Sequence, residues 1–274
     1  MSLKKKYVSK LLKITSVQEA EAEFDFILYN HFNLNKTDVL LNKVDLSEYE
    51  TELDEFANKR ISERMPLQYI LNKAFFMEDE YYVDNGVLIP RPETELLVAT
   101  VLKYATDKSK ILDIGTGSGC IAISLAKYLK SDNVSACDIS DKALNIAKKN
   151  AKNIIPNHNI NFILSDLFSS VSGKFDIIVS NPPYIDSVLK CDMEDEVLNH
   201  EPHSALFAKN SGMFFYEKII ADAKKYLTNH GIIAFEVGIN QSSKVANLLD
   251  LAEFKKVIII PDLSSIDRIV LGIL

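Results

Sequence analysis

From Lys110 to the C-terminus, short apolar runs alternate with amphipathic stretches, and no other feature constrains the fold as much. Runs at 111–114, 134–138, 161–164, 175–180, 232–237, 256–260 and 267–272 are short and rich in branched residues, as strands buried on both faces are. Between them, 118–130, 141–153, 212–228 and 241–251 repeat apolar residues at helical spacing. Strand–helix–strand links of this length make parallel neighbours with helices on both faces of the sheet. Only the last two runs, joined around Pro261–Ile266, leave no room for a helix, so the final pair is expected to be antiparallel. The expected architecture is α/β: a Rossmann-like, seven-stranded sheet with an antiparallel last strand.

The chain before this region reads differently. Residues 1–65 are expected to be a small all-α domain. Ser16 and Glu19 make a capping box ahead of Val17, Ala20, Phe24, Ile27, Leu28 and His31 on one face. Ser47 and Glu50 repeat the device before Leu53, Phe56 and Ala57, and Thr37 can cap a short helix between them. His31 reads as a helix-face residue. From Pro66 the composition turns aromatic and β-branched, with Asn85-Gly86 as a turn signal, so 66–90 is expected to be a strand-rich connector. The main domain, 91–274, opens with a helix over "PRPETELLVATVLKYA".

Composition removes several classes of function. The chain has 274 residues and 47% hydrophobic content, ordinary for a globular protein. It has no apolar run of membrane-spanning length, and its N-terminal lysines precede no apolar core of signal-peptide length, so a cytoplasmic protein is expected. Cys120, Cys137 and Cys191 lie far apart and form no CxxC. No metal is expected, because Pro202 between His200 and His203 disfavours the helix that would join them to Cys191 in one site. The net charge of −7 lacks the basic footprint of a duplex-binding protein, and only Lys4, Lys5, Lys6, Lys10 and Lys13 cluster.

"ILDIGTGSGC" reads as strand, turn, helix, with Gly115, Gly117 and Gly119 in the turn. Cys120 stands where a pyrophosphate-binding fingerprint needs glycine or alanine. The glycines still allow close approach of a ligand to the backbone. Asp138 ends the next strand, roughly twenty positions on, the spacing of a carboxylate that accepts the ribose hydroxyls. Together these describe an adenosine-binding crevice without a pyrophosphate cradle, which suits S-adenosylmethionine better than NAD. Asp113 can orient the loop or the ligand's ammonium. Asp166 and Phe168, at the end of the third strand, can border the adenine; core packing is the plainer role for Phe168.

The fourth strand runs into Asn181-Pro182-Pro183-Tyr184. Neither proline can donate to a ladder, so the strand ends and the next backbone is stiff. Parallel strands deliver their C-terminal ends to one edge, so Asn181 is expected to contact the cofactor there and to face its methyl group. An amide or aryl-amine nitrogen is a poor nucleophile because its lone pair is delocalised. The Asn181 side-chain oxygen can accept one of its hydrogens and the Pro182 carbonyl the other, aiming the lone pair at the methyl carbon. Tyr184 can offer its ring face to a flat substrate group or to the sulfonium. The tetrapeptide is thus a two-acceptor clamp for an NH2 group, and it suits adenine N6, guanine N2 and a carboxamide equally.

"VLIPRPETE", "LDIGTGSGCIAISLA", "CDIS", "NPPYI", "EPHSAL", "FEVGINQ" and "DLSSIDR" occur in this order. In this combination the whole chain resembles the peptide chain release factor glutamine N5-methyltransferases (the PrmC/HemK family). The resemblance implies a class I S-adenosylmethionine-dependent methyltransferase fold, with S-adenosylhomocysteine as product. The acceptor it implies is the glutamine of the Gly-Gly-Gln loop of bacterial class I release factors. In the family's pattern Gly115, Thr116, Gly117, Ser118, Gly119, Asp138 and Phe168 contact the cofactor, and Asn181, Pro182, Pro183 and Tyr184 hold the glutamine amide. Arg91, Pro92, Glu93 and Thr94 would wall the pocket, with Thr94 near the cofactor's methionine end, and residues 1–65 would dock the release factor. The chain departs from the pattern at Asn72 and Ser265, where glycine is usual, and in the glycine-poor "FAKNSG".

The alternative is a nucleic-acid amino-methyltransferase acting on adenine N6 or guanine N2. Such an enzyme binds backbone phosphates and takes a base out of its stack. The segment after the clamp carries Asp186, Asp192, Glu194, Asp195, Glu196 and Glu201 against one lysine, which repels phosphates, so direct nucleic-acid binding is not expected. A non-catalytic cofactor sensor is a further rival, which an intact clamp argues against.

Overall fold

The structure is a computed structural model that describes residues 2–274, except for the side chains of Leu189, Cys191 and Asp192. The chain divides into two compact units. One runs to Asn72 and takes in Glu194–His200; the other holds Lys73–Met193 and Glu201–Leu274.

The first unit contains α1 (Leu3–Leu11), α2 (Val17–Phe26), α3 (Lys36–Leu40), α4 (Glu50–Glu63) and α5 (Leu67–Leu71). The Ser16–Glu19 capping box opens α2, which continues into a π-helical turn at Ile27–His31. Two expected caps differ. Asn35, not Thr37, caps α3, its Oδ1 accepting the Thr37 N–H at 2.9 Å. Asp45, not Ser47, accepts the Ser47 N–H at 3.0 Å and starts a 3-10 turn that runs into α4. In both cases the amide or carboxylate oxygen lies one bond further from the backbone than a hydroxyl and accepts the free N–H two residues downstream. Tyr7, Leu11, Phe24, Ile27, Leu28 and Leu53 form the core. α5 occupies the start of the stretch expected to be strand-rich, because Pro66 pre-sets a helix start and Asn72 ends it at φ 53°.

The second unit begins with the hairpin β1 (Ala74–Phe76) and β2 (Asp79–Tyr81), then α6 (Thr94–Leu102). The alternating region follows as β3 (Ile111–Ile114), α7 (Cys120–Leu129), β4 (Val134–Asp138), α8 (Asp141–Ile154), β5 (Asn161–Leu164) and β6 (Phe175–Ser180). A short β7 (Ile185–Asp186) leads out of the clamp; α9 (Asp195–His200) belongs to the first unit, and α10 (His203–Leu206) and β8 (Phe207–Ala208) return the chain. α11 (Phe214–Ala223), β9 (Leu227–Glu236), α12 (Ser242–Leu251), β10 (Lys256–Pro261) and β11 (Asp267–Ile273) complete it.

The sheet is seven-stranded in the order β10-β11-β9-β6-β3-β4-β5. β5, β4, β3, β6 and β9 are parallel, and β11 runs antiparallel to both of its neighbours. This is the seven-stranded sheet with an antiparallel last strand expected from the alternation, and it agrees with the class I methyltransferase fold that the resemblance implies. One face is covered by a layer with Leu97, Ile121, Leu125 and Val179, the other by Tyr216, Ile219, Leu249 and Ile178. α11 ends at Ala223 and β9 starts at Leu227, so the expected helix over 212–228 is shorter and the strand longer. Tyr226 and Leu227 continue the helical spacing in sequence, but the Tyr226 carbonyl pairs with the Phe175 N–H at 2.7 Å and draws the segment into the sheet. Among the described residues no helix is long and apolar enough to cross a membrane.

Candidate functional site

The C-terminal ends of β3, β4 and β6 meet at one edge because their registers align Ile114 with Cys137 on one side and Ser180 on the other. Beyond that edge lies a cavity of about 280 Å³ lined by Gly115, Gly117, Asp138, Ile139, Leu167, Asn181, Pro182 and Pro183, among others. It brings the glycine turn, the carboxylate and the clamp into one site.

Gly115 and Gly117 have φ of 74° and 55°, a left-handed backbone that glycine takes without strain. A Cβ at either would meet nothing within 4 Å, so the turn leaves open space above its backbone. Gly119 serves packing: its Cβ would lie 2.8 Å from Ile123 Cδ1 and 3.0 Å from Ala147 Cβ, where α7 meets α8. Thr116 and Ser118 are buried behind the turn and not in the cavity wall. Thr116 Oγ1 donates to Asp113 Oδ2 at 2.6 Å, and the Ser118 carbonyl accepts from Asn150 Nδ2 at 2.9 Å. Asp113 therefore holds the loop, the first of the two roles its position allowed. Burial raises its pKa to about 7, and the Thr116 hydroxyl opposes the rise.

Asp138 lines the cavity and fastens the turn. Its Oδ2 accepts the Gly117 N–H and its Oδ1 the Ser140 N–H, each at 2.9 Å. Burial pushes its pKa up against those backbone donors. Phe168 is buried, stacked on Tyr226 at 4.4 Å with the rings 7° from parallel. The structure gives it the core role, and its neighbour Leu167 supplies the wall. The open glycine cradle, a carboxylate with unused lone pairs, and apolar walls from Ile139 and Leu167 fit an adenosine-bearing cofactor such as S-adenosylmethionine.

Ser180 Oγ donates to the Ile114 carbonyl at 2.7 Å and locks the end of β6 to the end of β3. Asn181, Pro182 and Pro183 then enter the cavity wall. Tyr184 does not line it. Its ring packs on Gly238, and its carbonyl accepts from Gln241 Nε2 at 2.9 Å. A Cβ on Gly212 would collide with that same carbonyl. Gln241 is held in turn by the Gly238 N–H at 3.1 Å. Burial pushes the Tyr184 phenol up to about 12, so it stays protonated.

None of the "PRPETE" residues is among those that line the cavity. Arg91 pairs with the buried Glu201 at 2.6 Å. Thr94 is buried, and its Oγ1 accepts from Asn181 Nδ2 at 3.2 Å, so it contacts the clamp and not the cavity. Glu236 ends β9 beside them and is 2% exposed. Sequence reasoning gave no role to Glu236 or Gln241, and counted Glu201 only among the acidic residues that repel phosphates. The one local signal was a lone acid at the end of an apolar run, "IIAFEVG". Among the described residues, no three His, Cys, Asp or Glu side chains gather to hold a metal. His200 hydrogen-bonds the Glu63 carbonyl at 2.6 Å, His203 packs edge-on against Phe207, and the Cys191 side chain lies outside the described residues.

Known proteins match this chain at two levels. The family description "Methyltransferase small domain" matches residues 91–206. A Flavobacterium psychrophilum protein named release factor glutamine methyltransferase is 38% identical, over 96% of this chain and 95% of that protein. A Lactococcus lactis protein of the same name is 41% identical, over 87% of this chain and 88% of its own length. Among solved structures, the ribosomal protein L11 methylase of Lactobacillus delbrueckii subsp. bulgaricus shares the fold at 22% identity, with a TM-score of 0.51 over 67% of this chain and 80% of that one.

Proposed function

This chain belongs to the release factor glutamine methyltransferase family, and from that premise we propose that it methylates the side-chain amide nitrogen of the glutamine in the Gly-Gly-Gln loop of bacterial class I release factors. The observation that carries the reading is that Asn181 and Pro182 line the same cavity as Gly115, Gly117 and Asp138. An amide clamp and a nucleoside cradle share one space.

When bound, S-adenosylmethionine supplies a sulfonium methyl: the nitrogen lone pair forms the new N–C bond, the S–C pair stays on sulfur, and S-adenosylhomocysteine results. Gly115, Gly117 and Asp138 would hold the adenosine end, with Asp138 accepting from the ribose hydroxyls. Asn181 Oδ1 and the Pro182 carbonyl would each accept one amide hydrogen, which turns the nitrogen lone pair out of conjugation and toward the methyl group. No strong base is needed, because the proton leaves only after the nitrogen has become cationic. Tyr184 keeps the turn rigid from behind. The reading places the reaction in the cytoplasm and involves no nucleic acid; the acidic residues after the clamp support that choice.

The helical unit is proposed to dock the release factor. Hydrogen exchange with and without bound release factor tests this: protection is expected within residues 2–72, and protection confined to the catalytic unit would refute it. The acceptor is tested by transfer of labelled methyl to a purified release factor. A factor with the Gly-Gly-Gln glutamine changed to alanine is the control, and duplex DNA is assayed in parallel. Label on the native factor alone is the expected result, and label on DNA alone would overturn it.

A further inference from the structure

An asparagine that must present its oxygen to a substrate needs something behind it to take its NH2 group, since the amide can otherwise rotate and present donors instead. The structure provides this. β6 and β9 are parallel neighbours with Ser180 opposite Phe235, so Asn181 and Glu236 are the next residues along on adjacent strands. Thr94, the first residue of α6, is buried beside both. Asn181 Nδ2 donates to Thr94 Oγ1 at 3.2 Å, and Thr94 and Asn181 both stand close enough to the Glu236 carboxylate to oppose the rise in its pKa. A hydroxyl has one proton; giving it to the carboxylate leaves only lone pairs to face Asn181. A chain ordered in this way has one direction.

We propose that Glu236 is a positioning residue: acting through Thr94, it holds the Asn181 amide nitrogen inward and so commits Asn181 Oδ1 to the cavity. This rests on the reading of Asn181 as an amide clamp. It uses a buried acid that the cofactor cradle and the clamp leave without a task. Glu236 Oε2 has no hydrogen-bond partner among the described residues, although the side chain is nearly inaccessible. An orphaned buried carboxylate oxygen is costly, and a positioning role explains why a carboxylate stands there.

In its charged form Glu236 can only accept. Burial raises the Glu236 pKa to about 7; Thr94 opposes the rise, Glu93 adds to it, and Arg268 and Asn181 oppose it. Around the carboxylate stand Glu93 before α6, Arg268 on β11, and the titratable Tyr184, Tyr216 on α11 and Cys120 on α7. All three of the latter are pushed upward by burial and stay neutral where Glu236 changes charge. Protonation gives Glu236 a donor and lets the bond chain reverse.

Two measurements test the proposal. The first needs no acceptor substrate. In protein labelled with 15N-asparagine, the Asn181 side-chain NH2 signals, assigned by their loss in Asn181→Ala, are followed through a pH titration. They should shift with a midpoint near that of Glu236 and lose the shift in Glu236→Gln. Signals that are the same in both proteins at every pH would overturn the proposal. The second is a kinetic cycle. Glu236→Gln and Thr94→Val should each lower kcat by roughly tenfold or more with little change in the KM for S-adenosylmethionine, and Thr94→Ser should recover most of the Thr94→Val loss. In an Asn181→Ala background the Glu236→Gln loss should vanish, because its route is already gone. A full, additive loss would make Glu236 merely structural and overturn the proposal. Failure of the wild-type protein to methylate a release factor would refute the acceptor reading and leave the spectroscopic test standing.

Discussion

Asp138 accepts the backbone N–H of Gly117 at 2.9 Å, so the carboxylate at the end of β4 is also the fastener of the glycine turn after β3. A ligand resting on the open glycine backbone and a ligand bound to the carboxylate are therefore held by one connected piece of structure.

Asp138→Ala should weaken S-adenosylmethionine binding through both routes at once: the ribose loses its acceptor, and Gly117 and Ser140 lose theirs. Hydrogen bonds to a charged group contribute about 1.5–3 kcal/mol each, so a loss of roughly 10- to 100-fold in affinity is expected. Calorimetric titration measures it. Affinity within about twofold of wild type, below 0.5 kcal/mol, would remove Asp138 from the binding site.

Asn181→Ala should leave that affinity nearly intact and lower turnover by roughly 10²- to 10³-fold, the usual effect of deleting one preorganised hydrogen-bonding group at a reacting centre. Asn181 lines the cavity, but the carboxylate and the glycine turn lie on other strands. Parallel measurement of the Kd for S-adenosylmethionine and of kcat separates the two. Turnover at the wild-type level would end the clamp assignment.

Much of this site was legible because its parts are local. Strand, glycine turn and helix are consecutive, and Asp138 closes the next apolar run. Asn181 follows another run directly. What the sequence could not carry is strand order. Glu236 reaches Asn181 only because β9 pairs with β6, and an apolar run has no mark that names its neighbour. Thr94 was placed near the cofactor on resemblance, and the contact with Asn181 that the structure adds had no mark in the sequence. Phe168 was ambiguous for a related reason: an aromatic at a strand end suits a base-stacking wall or a core, and only the stacked Tyr226, distant in sequence, gives it to the core. The helix–strand boundary near Tyr226 was misread because helical spacing runs past the residue at which sheet pairing takes over.

The pH dependence of stability should run against the usual acid trend within one window. Asp113 titrates at its ordinary value of 3.8 when unfolded and at about 7 when folded, because burial penalises its charge. Between those values the folded chain binds more protons than the unfolded chain, so stability falls as pH rises, by up to about 1.4 kcal/mol per pH unit for one such group. Glu236, raised by the same cause, acts in the same direction. Asp113→Asn should remove part of this slope, read from urea midpoints between acidic and neutral pH. Identical slopes in the two proteins would show that Asp113 does not titrate in that window.

The helical unit has its own buried charge. Arg60 is 4% exposed, donates through Nε and Nη2 to Glu23, reaches the Met65 carbonyl at 2.7 Å and pairs with Glu196 of α9 at 2.8 Å. Removing one partner of a buried ion pair leaves the other charge unpaired, which costs about 3–5 kcal/mol. Arg60→Ala should therefore destabilise the unit by about that much, lowering the denaturation midpoint. Adding Glu23→Ala should recover part of the loss, because the stranded carboxylate is then gone. A loss below about 1 kcal/mol for Arg60→Ala would mean that the pairs are solvated and exchangeable, as surface pairs are. It would also mean that Arg60 does not anchor the 194–200 segment, which lies in sequence between the clamp and Glu201.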